Sequence, residues 1–399
     1  MNDIPEDPYP SAFSYLTSDE FERLKAFSKD KQTPFLYINL STIEKEYDEL
    51  VGLFPFASIY YAIKANPEKQ VIDLLSKKGS CFDVASIYEI NQLLDQGVNI
   101  DKMSYGNTIK KSEDIAYAYS KGIRIYASDS YMDLEKIAKN APGSKVYIRL
   151  LSEGVGADWP LSKKFGTTKD IAVDLLVKAK SLGLIPYGVS FHVGSQQRNI
   201  QSWDEALTKC KYVFDKAKES GIELKLINMG GGLPSSYIKA TEEMKVYAES
   251  IKEFLTKNFG ENIPEIIIEP GRSMVADSGV LVTEVILVSH KENEDKFDWV
   301  YLDTGKFGGL IETIDESIKY PIFTEDGKNK IGTVAQKEVI LAGPTCDSAD
   351  VLYEKYKYKL PEDLKEGDRL YILTTGAYTN TYSSVYFNGF PPLKVYIAD

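Results

Sequence analysis

The sequence is poor in the residues that build metal centres and disulfide frameworks. Among 399 residues there are two histidines, His192 and His290, and three cysteines, Cys81, Cys210 and Cys346. The cysteines lie far apart and form no closely spaced pair, so a zinc site and a disulfide framework are both disfavoured and we expect no metal. Thiols without a nearby partner are typical of a reducing compartment, and we expect the cytoplasm.

The sequence also lacks long apolar runs and basic stretches. No apolar run approaches the roughly 20 residues of a membrane helix, and the acidic, proline-containing start MNDIPEDPYPSAFSYL has no secretory-signal pattern. The net charge is −12, from 47 basic and 59 acidic residues, which disfavours binding to nucleic acid. We therefore expect neither a membrane nor a nucleic acid as partner. The charge suits a cationic small molecule.

What the chain does contain is a rhythm of short apolar runs between about residues 58 and 272. Segments with helical periodicity separate several of these runs, for example EKQVIDLLSKKG and TTKDIAVDLLVKAKSLG. The runs are 58–66, 80–86, 102–108, 123–130, 145–151, 187–195, 224–232 and 265–272. Eight such βα units predict a closed (β/α)₈ TIM barrel, whereas the rival doubly wound α/β sheet would need fewer strands.

After about residue 276 the pattern changes to strand-like runs with few helices. The runs are VLVTEVILVS, WVYLDTG, KEVILAGPTC, RLYILTT and LKVYIAD, and a short helical stretch is expected at PEDLKEGD, residues 361–368. We predict three regions, namely a barrel at 39–276, a C-terminal β domain at 277–399 and an N-terminal segment at 1–38. The N-terminal segment is expected to pack on the β domain.

Polar residues recur where the apolar runs of the barrel end. They are Lys64, Asp83, His192, Ser195, the triplet Gly230–Gly232 and the segment Glu269–Arg272. The carboxyl ends of the strands form the face where TIM barrels carry their chemistry, so these residues predict an active site.

Each motif also has a plain structural interpretation. Lys64 in YYAIKANP is either a strand-end lysine or a Schiff-base amine, and HVGSQ is either an ordinary turn or a stacking His192 with a phosphate-binding Ser195. The triplet at 230–232 is either a turn or a cradle of amides for an anion. Glu269 needs a cation, which is either Arg272 or a protonated pyridine.

Two further motifs fall in the β domain. Cys346 stands beside Asp347 in GPTCDSADVL, where an inert thiol is the alternative to a functional one. The segment 376–391, GAYTNTYSSVYFNGFP, is rich in tyrosine and small polar residues and is typical of a binding loop. A lysine amine, a flat histidine, a phosphate cradle and a carboxylate on one barrel face together indicate a pyridoxal 5′-phosphate site.

At this point the chain resembles the fold-type III pyridoxal phosphate decarboxylases of ornithine, lysine, arginine and diaminopimelate. The motifs YAIKANP, FDVAS, HVGSQ, GGG, EPGR, GPTCDSAD and GAYTNTYSSVYFNGF occur in the family's order over residues 61–391. The resemblance implies an alanine-racemase-like barrel with a C-terminal β domain, and a homodimer with active sites shared between subunits.

The resemblance also implies roles for single residues. Lys64 would bind the cofactor, Asp83 and His192 would support its ring, and Glu269 would pair with the pyridine nitrogen. Phosphate binding would fall to Ser195, Gly232, Gly271, Arg272 and Tyr378.

For the substrate, the resemblance makes Cys346 the proton donor and Asp347 the partner of the distal ammonium, with Asp303, Thr304, Tyr378 and Phe387 also at the substrate. Asp347 matches the ornithine, lysine and arginine branch, because diaminopimelate enzymes usually have Glu there. Animal ornithine decarboxylases have Asp at the position of Thr304, whereas here Asp303 comes one residue earlier. Those enzymes also have Arg where this chain has Pro160.

We therefore expect decarboxylation of ornithine or lysine to putrescine or cadaverine, in polyamine-type metabolism. The form LDTGKFGGL is similar to a bacterial ornithine/lysine branch. Diaminopimelate, arginine or an N-substituted ornithine remain alternative substrates. A racemase and a non-catalytic homologue are less favoured.

Overall fold

The computed structural model describes residues 11–159, 163–292 and 296–399. The chain divides into two compact units, one made of residues 44–234 and 242–272, the other of the residues up to 43, 235–241 and 273–399. Among the described residues, no helix has the length and apolar character needed to cross a membrane.

The first unit is a closed barrel of eight strands, all paired in parallel. The strands are Ala57–Ala62, Cys81–Val84, Met103–Tyr105, Ile125–Ser128, Lys145–Arg149, Ile185–Ser190, Leu226–Asn228 and Glu265–Ile268. Each lies within or overlaps one of the eight apolar runs, so the predicted TIM barrel is confirmed. Parallel strands buried on both faces need continuous apolar sequence, which is why the runs are visible without a structure.

Helices alternate with the barrel strands, and polar side chains begin several of them. The hydroxyls of Ser86 and Thr168 accept the amides of Glu89 and Ile171 at 3.3 Å, as N-caps do. The helices are Leu40–Leu53, Lys69–Lys78, Ile87–Asp95, Ser112–Lys121, Tyr131–Asn140, Lys169–Ser181, Gln201–Glu219 and Met244–Phe259. Inside the barrel, Ala127, Tyr147, Leu226 and Ile267 form a buried cluster.

The second unit is built around a mixed eight-stranded sheet, which confirms the predicted β domain. Six strands follow one another in the order Ile322–Thr324, Arg369–Leu373, Gly279–Ser289, Phe297–Leu302, Gln336–Ala342 and Val351–Pro361. Phe35–Asn39 pairs antiparallel with Gly279–Ser289 and parallel with Lys394–Ala398. The domain boundaries proposed from the sequence stay a prediction.

The N-terminal residues contribute a helix and a strand to this second unit. Helix Ser18–Ser28 begins at a capping box, in which Thr17 and Glu20 accept each other's backbone amides. Its Phe21 and Leu24 are buried in a cluster with residues of the sheet. A short helix, Arg272–Val275, begins the return from the barrel to the sheet.

One expectation was wrong. The segment 361–368 is not helical, because Pro361 ends the strand Val351–Pro361 and turns follow it. The segment instead connects the strand Val351–Pro361 to Arg369–Leu373, two strands that are not neighbours in the sheet.

Candidate active site

Lys64 lies just beyond the first barrel strand rather than inside it. The strand Ala57–Ala62 continues into a 3₁₀ turn, Ile63–Ala65. Ile63 and Ala65 on either side are completely buried, while Lys64 itself is exposed. The turn therefore holds the backbone rigidly in the apolar wall and presents the amine at the carboxyl end of the barrel.

Asp83 lies in the next strand, one residue before its end at Val84, and is 5% exposed. Its Oδ1 has no hydrogen-bond partner among the described residues, and a Cβ on Gly106 would lie 2.0 Å from that oxygen. Burial raises the pKa of Asp83 well above its ordinary value, the charge of Glu269 adds to this, and Lys64 opposes it. An unsatisfied buried carboxylate is an attractive position for a cationic or hydrogen-bonding ligand group.

His192 follows the strand Ile185–Ser190, and its ring is held by the backbone. Nδ1 accepts a hydrogen bond from the amide of Gly194 at 2.9 Å. Burial lowers the pKa of His192 well below its ordinary value, with further lowering by the charges of Arg149 and Lys64. The imidazole is therefore neutral at neutral pH and carries its proton on Nε2.

The glycine triplet folds tightly against this histidine and against the last barrel strand. A Cβ on Gly231 would lie 2.7 Å from the carbonyl oxygen of Glu269, and one on Gly230 would lie 2.4 Å from that of Phe191. A Cβ on Gly232 would lie 2.6 Å from the carbonyl oxygen of Gly194. The backbone can pack this closely only without side chains, which explains the triplet.

Ser195 and Arg272 meet beside the triplet. Arg272 donates to Ser195 Oγ from Nε at 3.2 Å and from Nη2 at 3.0 Å, although 77 residues separate them in sequence. Arg272 is 3% exposed. A buried guanidinium and a hydroxyl, next to a glycine loop, are chemically suited to an anion such as phosphate. Gly271 directly precedes Arg272, which begins a short helix.

Glu269 is held by a residue that the sequence analysis did not identify. Asn228, which ends the strand Leu226–Asn228, donates from Nδ2 to Glu269 Oε1 at 2.5 Å. Its Oδ1 accepts the amide of Gly230 at 2.9 Å, and the amide of Glu269 donates to the carbonyl of Gly230 at 2.8 Å. The carboxylate is therefore fixed at the mouth of the barrel.

Arg149 and Tyr147 were also missed. Burial lowers the pKa of Arg149, while the charges of Glu269 and Asp83 counteract that lowering. Burial raises the pKa of Tyr147 well above its ordinary value, as do Glu269 and Asp83, and its hydroxyl lies 3.0 Å from Ser104 Oγ. The available signal was an arginine ending the apolar run KVYIR, at the same strand position as the other polar residues.

The other predicted residues lie in the sheet unit, on three segments that contact one another. Cys346 and Asp347 are exposed, and the amide of Cys346 donates to Asn388 Oδ1 at 2.9 Å. The ring of Phe387 packs on that of Phe307 with centroids 4.7 Å apart. Tyr378 has a left-handed backbone conformation, with φ of 57°, and stacks on Tyr382.

Asp303 and Thr304 differ in what their side chains do. Asp303 Oδ1 accepts the hydroxyl of Thr283 at 2.5 Å and the amide of Glu284 at 3.0 Å. Thr304 is 1% exposed and donates its hydroxyl to the carbonyl of Gly308 at 3.3 Å. Both residues line a cavity of about 760 Å³, together with Phe307, Thr345 and Phe387 among others. Pro160 lies outside the described residues.

Comparison with known proteins identifies the family to which the chain belongs. The family model of the pyridoxal-dependent decarboxylases, pyridoxal-binding domain, matches residues 40–276. This chain belongs to the pyridoxal-dependent decarboxylase family. It is therefore a pyridoxal phosphate-dependent enzyme of the carboxy-lyase class.

Individual relatives cover nearly the whole chain. A lysine/ornithine decarboxylase of Selenomonas ruminantium is 32% identical over 371 residues, covering 92% of this chain and 90% of the relative. The arginine decarboxylase structure from Paramecium bursaria Chlorella virus is 29% identical with a TM-score of 0.86, covering 96% of this chain and all of that one. A lysine/ornithine decarboxylase from Vibrio vulnificus with putrescine is 28% identical with a TM-score of 0.85, covering 96% and 99%.

The barrel residues of this pyridoxal-dependent decarboxylase fit its cofactor. The unsatisfied Oδ1 of Asp83, the neutral ring of His192 and the accessible amine of Lys64 face the same charged network. The Arg272–Ser195 pair beside the triplet matches a phosphate. The structure thus brings together the barrel part of the predicted site, and the residues predicted to contact the substrate lie in the sheet unit.

Proposed function

We propose that the chain decarboxylates a basic L-amino acid to a diamine, with ornithine as the first candidate and lysine as the second. The observation that carries the proposal is the convergence of Lys64, Asp83, His192 and Glu269 on one charged network at the mouth of the barrel. The named activities of the relatives support the substrate class.

The chain's own residues take the following parts in this proposal. Lys64 would hold the cofactor through its side-chain amine. His192 supports the ring with its neutral face, and Glu269, oriented by Asn228, holds a proton on the ring nitrogen. Bound pyridoxal phosphate supplies the electron sink for the pair left by the departing carboxylate.

Phosphate binding is assigned to the group beside the glycine triplet. Arg272 provides a buried positive charge, and Ser195, which already accepts two hydrogen bonds from it, keeps a hydroxyl proton to donate. Gly232 and Gly271 contribute backbone amides, and Tyr378 is proposed to add its hydroxyl.

Substrate recognition is assigned to the sheet unit. Asp347 is an exposed carboxylate next to Cys346, and its Oδ1 accepts the amide of Ala349 at 2.8 Å. It is proposed to bind the distal ammonium, and Cys346 to deliver a proton to Cα. The hydroxyl of Thr304 already donates to the carbonyl of Gly308. Of positions 304 and 347, only Asp347 would therefore offer a carboxylate to the distal ammonium.

A substrate screen tests the proposal. The purified chain, loaded with pyridoxal phosphate, would be given ornithine, lysine, arginine, diaminopimelate and N-substituted ornithines separately. We expect release of CO₂ with ornithine or lysine, and the mass of the matching diamine. Lys64→Ala is the control, expected to lose both turnover and the visible absorbance of lysine-bound cofactor; retained turnover would refute the role of Lys64.

The alternatives give different results in the same screen. Turnover of diaminopimelate, arginine or an N-substituted ornithine alone would change the substrate and keep the reaction. An amino-acid racemase would produce the opposite enantiomer without CO₂. A non-catalytic homologue would give neither product, although it could still bind the cofactor.

We further propose a homodimer whose active sites contain residues of both subunits. The segment 382–390 exposes Tyr382, Val385, Tyr386 and Phe390 by 43–68% of their surfaces, which is unusual for large apolar side chains so close in sequence. Cys346 and Asp347 are exposed on the same unit. A second copy of the chain is a natural partner for such a face.

Mixing two inactive variants tests the shared site. Lys64→Ala and Cys346→Ala homodimers should each have little activity. A 1:1 mixture should regain up to about a quarter of the wild-type activity, because about half of its dimers are mixed and each mixed dimer has one intact site of two. No recovery on mixing, in a preparation shown by mass to contain heterodimers, would place both residues of each site in one subunit. For location we propose the cytoplasm, since all three cysteines are free.

A further inference from the structure

Three segments of the sheet unit carry candidate substrate residues, and hydrogen bonds and ring packing connect these segments. The amide of Ser384 donates to the carbonyl of Phe307 at 2.8 Å, and the rings of Phe307 and Phe387 pack together. Asp350 accepts the amide of Lys306 at 2.8 Å. The segments 303–309, 343–350 and 382–390 therefore form one assembly within the sheet unit.

Cys346 is held in this assembly from both sides. Before it, Thr345 donates to Asp350 Oδ2 from its amide at 3.2 Å and from its hydroxyl at 2.8 Å. After it, the amide of Asp350 donates to the carbonyl of Asp347 at 3.0 Å and closes a turn. The backbone of Cys346 itself is fixed by the side chain of Asn388, 42 residues later in sequence.

Asn388 is suited to this contact by its backbone as well as by its side chain. It has φ of 51° and ψ of 20°, a left-handed conformation that asparagine tolerates better than most residues. This conformation alone would explain an asparagine. The side chain adds a second reason, because its Oδ1 accepts a 2.9 Å hydrogen bond from the amide of Cys346, the proposed proton donor on an exposed loop.

We propose that Asn388 is a positioning residue that fixes the thiol of Cys346 for proton delivery. The inference rests on the proposed function of Cys346. Decarboxylation breaks the bond between Cα and the carboxylate, releases CO₂ and leaves the electron pair of that bond with Cα. A proton from Sγ then forms the new Cα–H bond, and the thiolate regains a proton from water. A displaced thiol would slow this step without weakening substrate binding.

Three substitutions at Asn388 separate the side-chain contact from the backbone conformation. Asn388→Gly keeps the left-handed conformation and removes the acceptor, Asn388→Ala removes the acceptor and disfavours the conformation, and Asn388→Asp keeps both. We expect kcat to fall about tenfold to a hundredfold in the Gly and Ala variants with little change in KM. Asn388→Asp should retain most of the wild-type kcat.

A second readout follows the thiol directly and does not need turnover. Of the three cysteines, Cys346 is exposed, Cys81 is half-buried and Cys210 is buried. The rate of alkylation by iodoacetamide, measured against pH on the full-length chain with and without pyridoxal phosphate, should change in Asn388→Gly. In Asn388→Asp the profile should move to higher pH, because the added negative charge disfavours the thiolate. Cys346→Ala gives the background.

Asn329 supplies a matched control for loss of an asparagine contact. It also has a left-handed conformation, with φ of 51°, and its side chain accepts the amide of Thr324 at 2.8 Å. It lies beside the strand Ile322–Thr324, at the opposite end of the sheet order from Val351–Pro361, the strand that follows Cys346. Asn329→Gly should lower the melting temperature and leave the alkylation profile of Cys346 unchanged.

The outcomes are distinguishable. Wild-type kcat and alkylation in Asn388→Gly would overturn the proposal, as would equal losses in Asn388→Gly and Asn388→Asp. If Cys346→Ala keeps full turnover, the proposed role of Cys346 fails, whereas the alkylation comparison still decides whether Asn388 positions the thiol. If the Ala variant does not fold, the Gly and Asp pair suffices.

Discussion

Asn228 Nδ2 lies 2.5 Å from Glu269 Oε1, and the same amide group accepts the backbone of Gly230 through Oδ1. One buried side chain thereby links the carboxylate of Glu269, which follows the last barrel strand, to the glycine triplet. Since Asn228 is 1% exposed and cannot reorient freely, it fixes both the direction of the carboxylate and the start of the loop.

Replacing Asn228 should therefore impair the site without disrupting the barrel. We expect Asn228→Ala to lower kcat about tenfold or more, because Glu269 is no longer oriented. Asn228→Asp should be at least as damaging, since a second carboxylate would face Glu269. Steady-state kinetics and fluorescence titration with pyridoxal phosphate measure both effects; an Asp variant as active as wild type would show that the contact does not matter.

The close packing of Gly232 gives a second prediction. Its φ is 108°, and an added Cβ would lie 2.6 Å from the carbonyl oxygen of Gly194. We expect Gly232→Ala to weaken pyridoxal phosphate binding about tenfold or more, because the loop must move away from the phosphate position. Equilibrium dialysis of the cofactor provides the measurement.

A matched glycine separates backbone strain from loop displacement. Gly79 has φ of 97° at the end of a helix, and an added Cβ there would meet nothing within 4 Å. Gly79→Ala should cost about 1–2 kcal/mol in the free energy of unfolding and leave cofactor binding unchanged. If both variants bind the cofactor normally, the triplet does not form the phosphate cradle.

The barrel could be predicted from the sequence because its signals are local. Each barrel strand lies in or overlaps a short apolar run, and Lys64, Asp83 and His192 stood out as polar residues near the ends of such runs. Arg149 ended its run in the same way. It was passed over because an arginine at a strand end is common and no motif surrounds it.

The sheet unit was harder to predict because its pairings are not local. Phe35–Asn39 pairs with strands more than 240 residues later, Gly279–Ser289 and Lys394–Ala398, and no local pattern encodes that register. The strand Val351–Pro361 was overlooked because its sequence, VLYEKYKYKLP, alternates with charged residues. Asn388 and Asn228 act through contacts across 42 and 41 residues, which periodicity cannot show.

A buried ion pair in the barrel unit should be important for stability. The side chains of Lys110 and Asp133 are 0% and 4% exposed, and Nζ lies 2.9 Å from Oδ2. Lys110 also donates to the carbonyls of Asn107 and Ala127, and Ser128 donates to Asp133. Lys110→Met should lower the free energy of unfolding by about 3–5 kcal/mol, because it leaves Asp133 buried without this partner. Urea unfolding measures the loss.

Two further variants test this explanation. Lys110→Met combined with Asp133→Leu should recover much of the stability, since neither charge then remains buried. At the exposed pair of Lys211 and Asp215, Lys211→Met should cost less than about 1 kcal/mol. A loss at Lys110 no larger than that at Lys211 would contradict the assigned importance of burial.

His192 should make the cofactor-free chain less stable as the pH falls. Its pKa is held well below the ordinary value by burial and by the charges of Arg149 and Lys64. Between pH 6.5 and that lowered pKa, the unfolded chain binds a proton that the folded chain does not. Stability is therefore fully present above about pH 6.5 and falls below it by at most about 1.4 kcal/mol per pH unit.

The raised pKa of Asp83 has the opposite effect on stability as the pH falls, so the contribution of His192 must be isolated with a variant. Burial and Glu269 raise the pKa of Asp83, and its protonation as the pH falls favours the folded state. His192→Asn can still accept the amide of Gly194 but does not titrate. Urea unfolding from pH 7.5 to 5 should show wild-type stability falling relative to His192→Asn as the pH decreases. A constant difference would mean that folding does not lower the pKa of His192, which would contradict the assigned effect of burial.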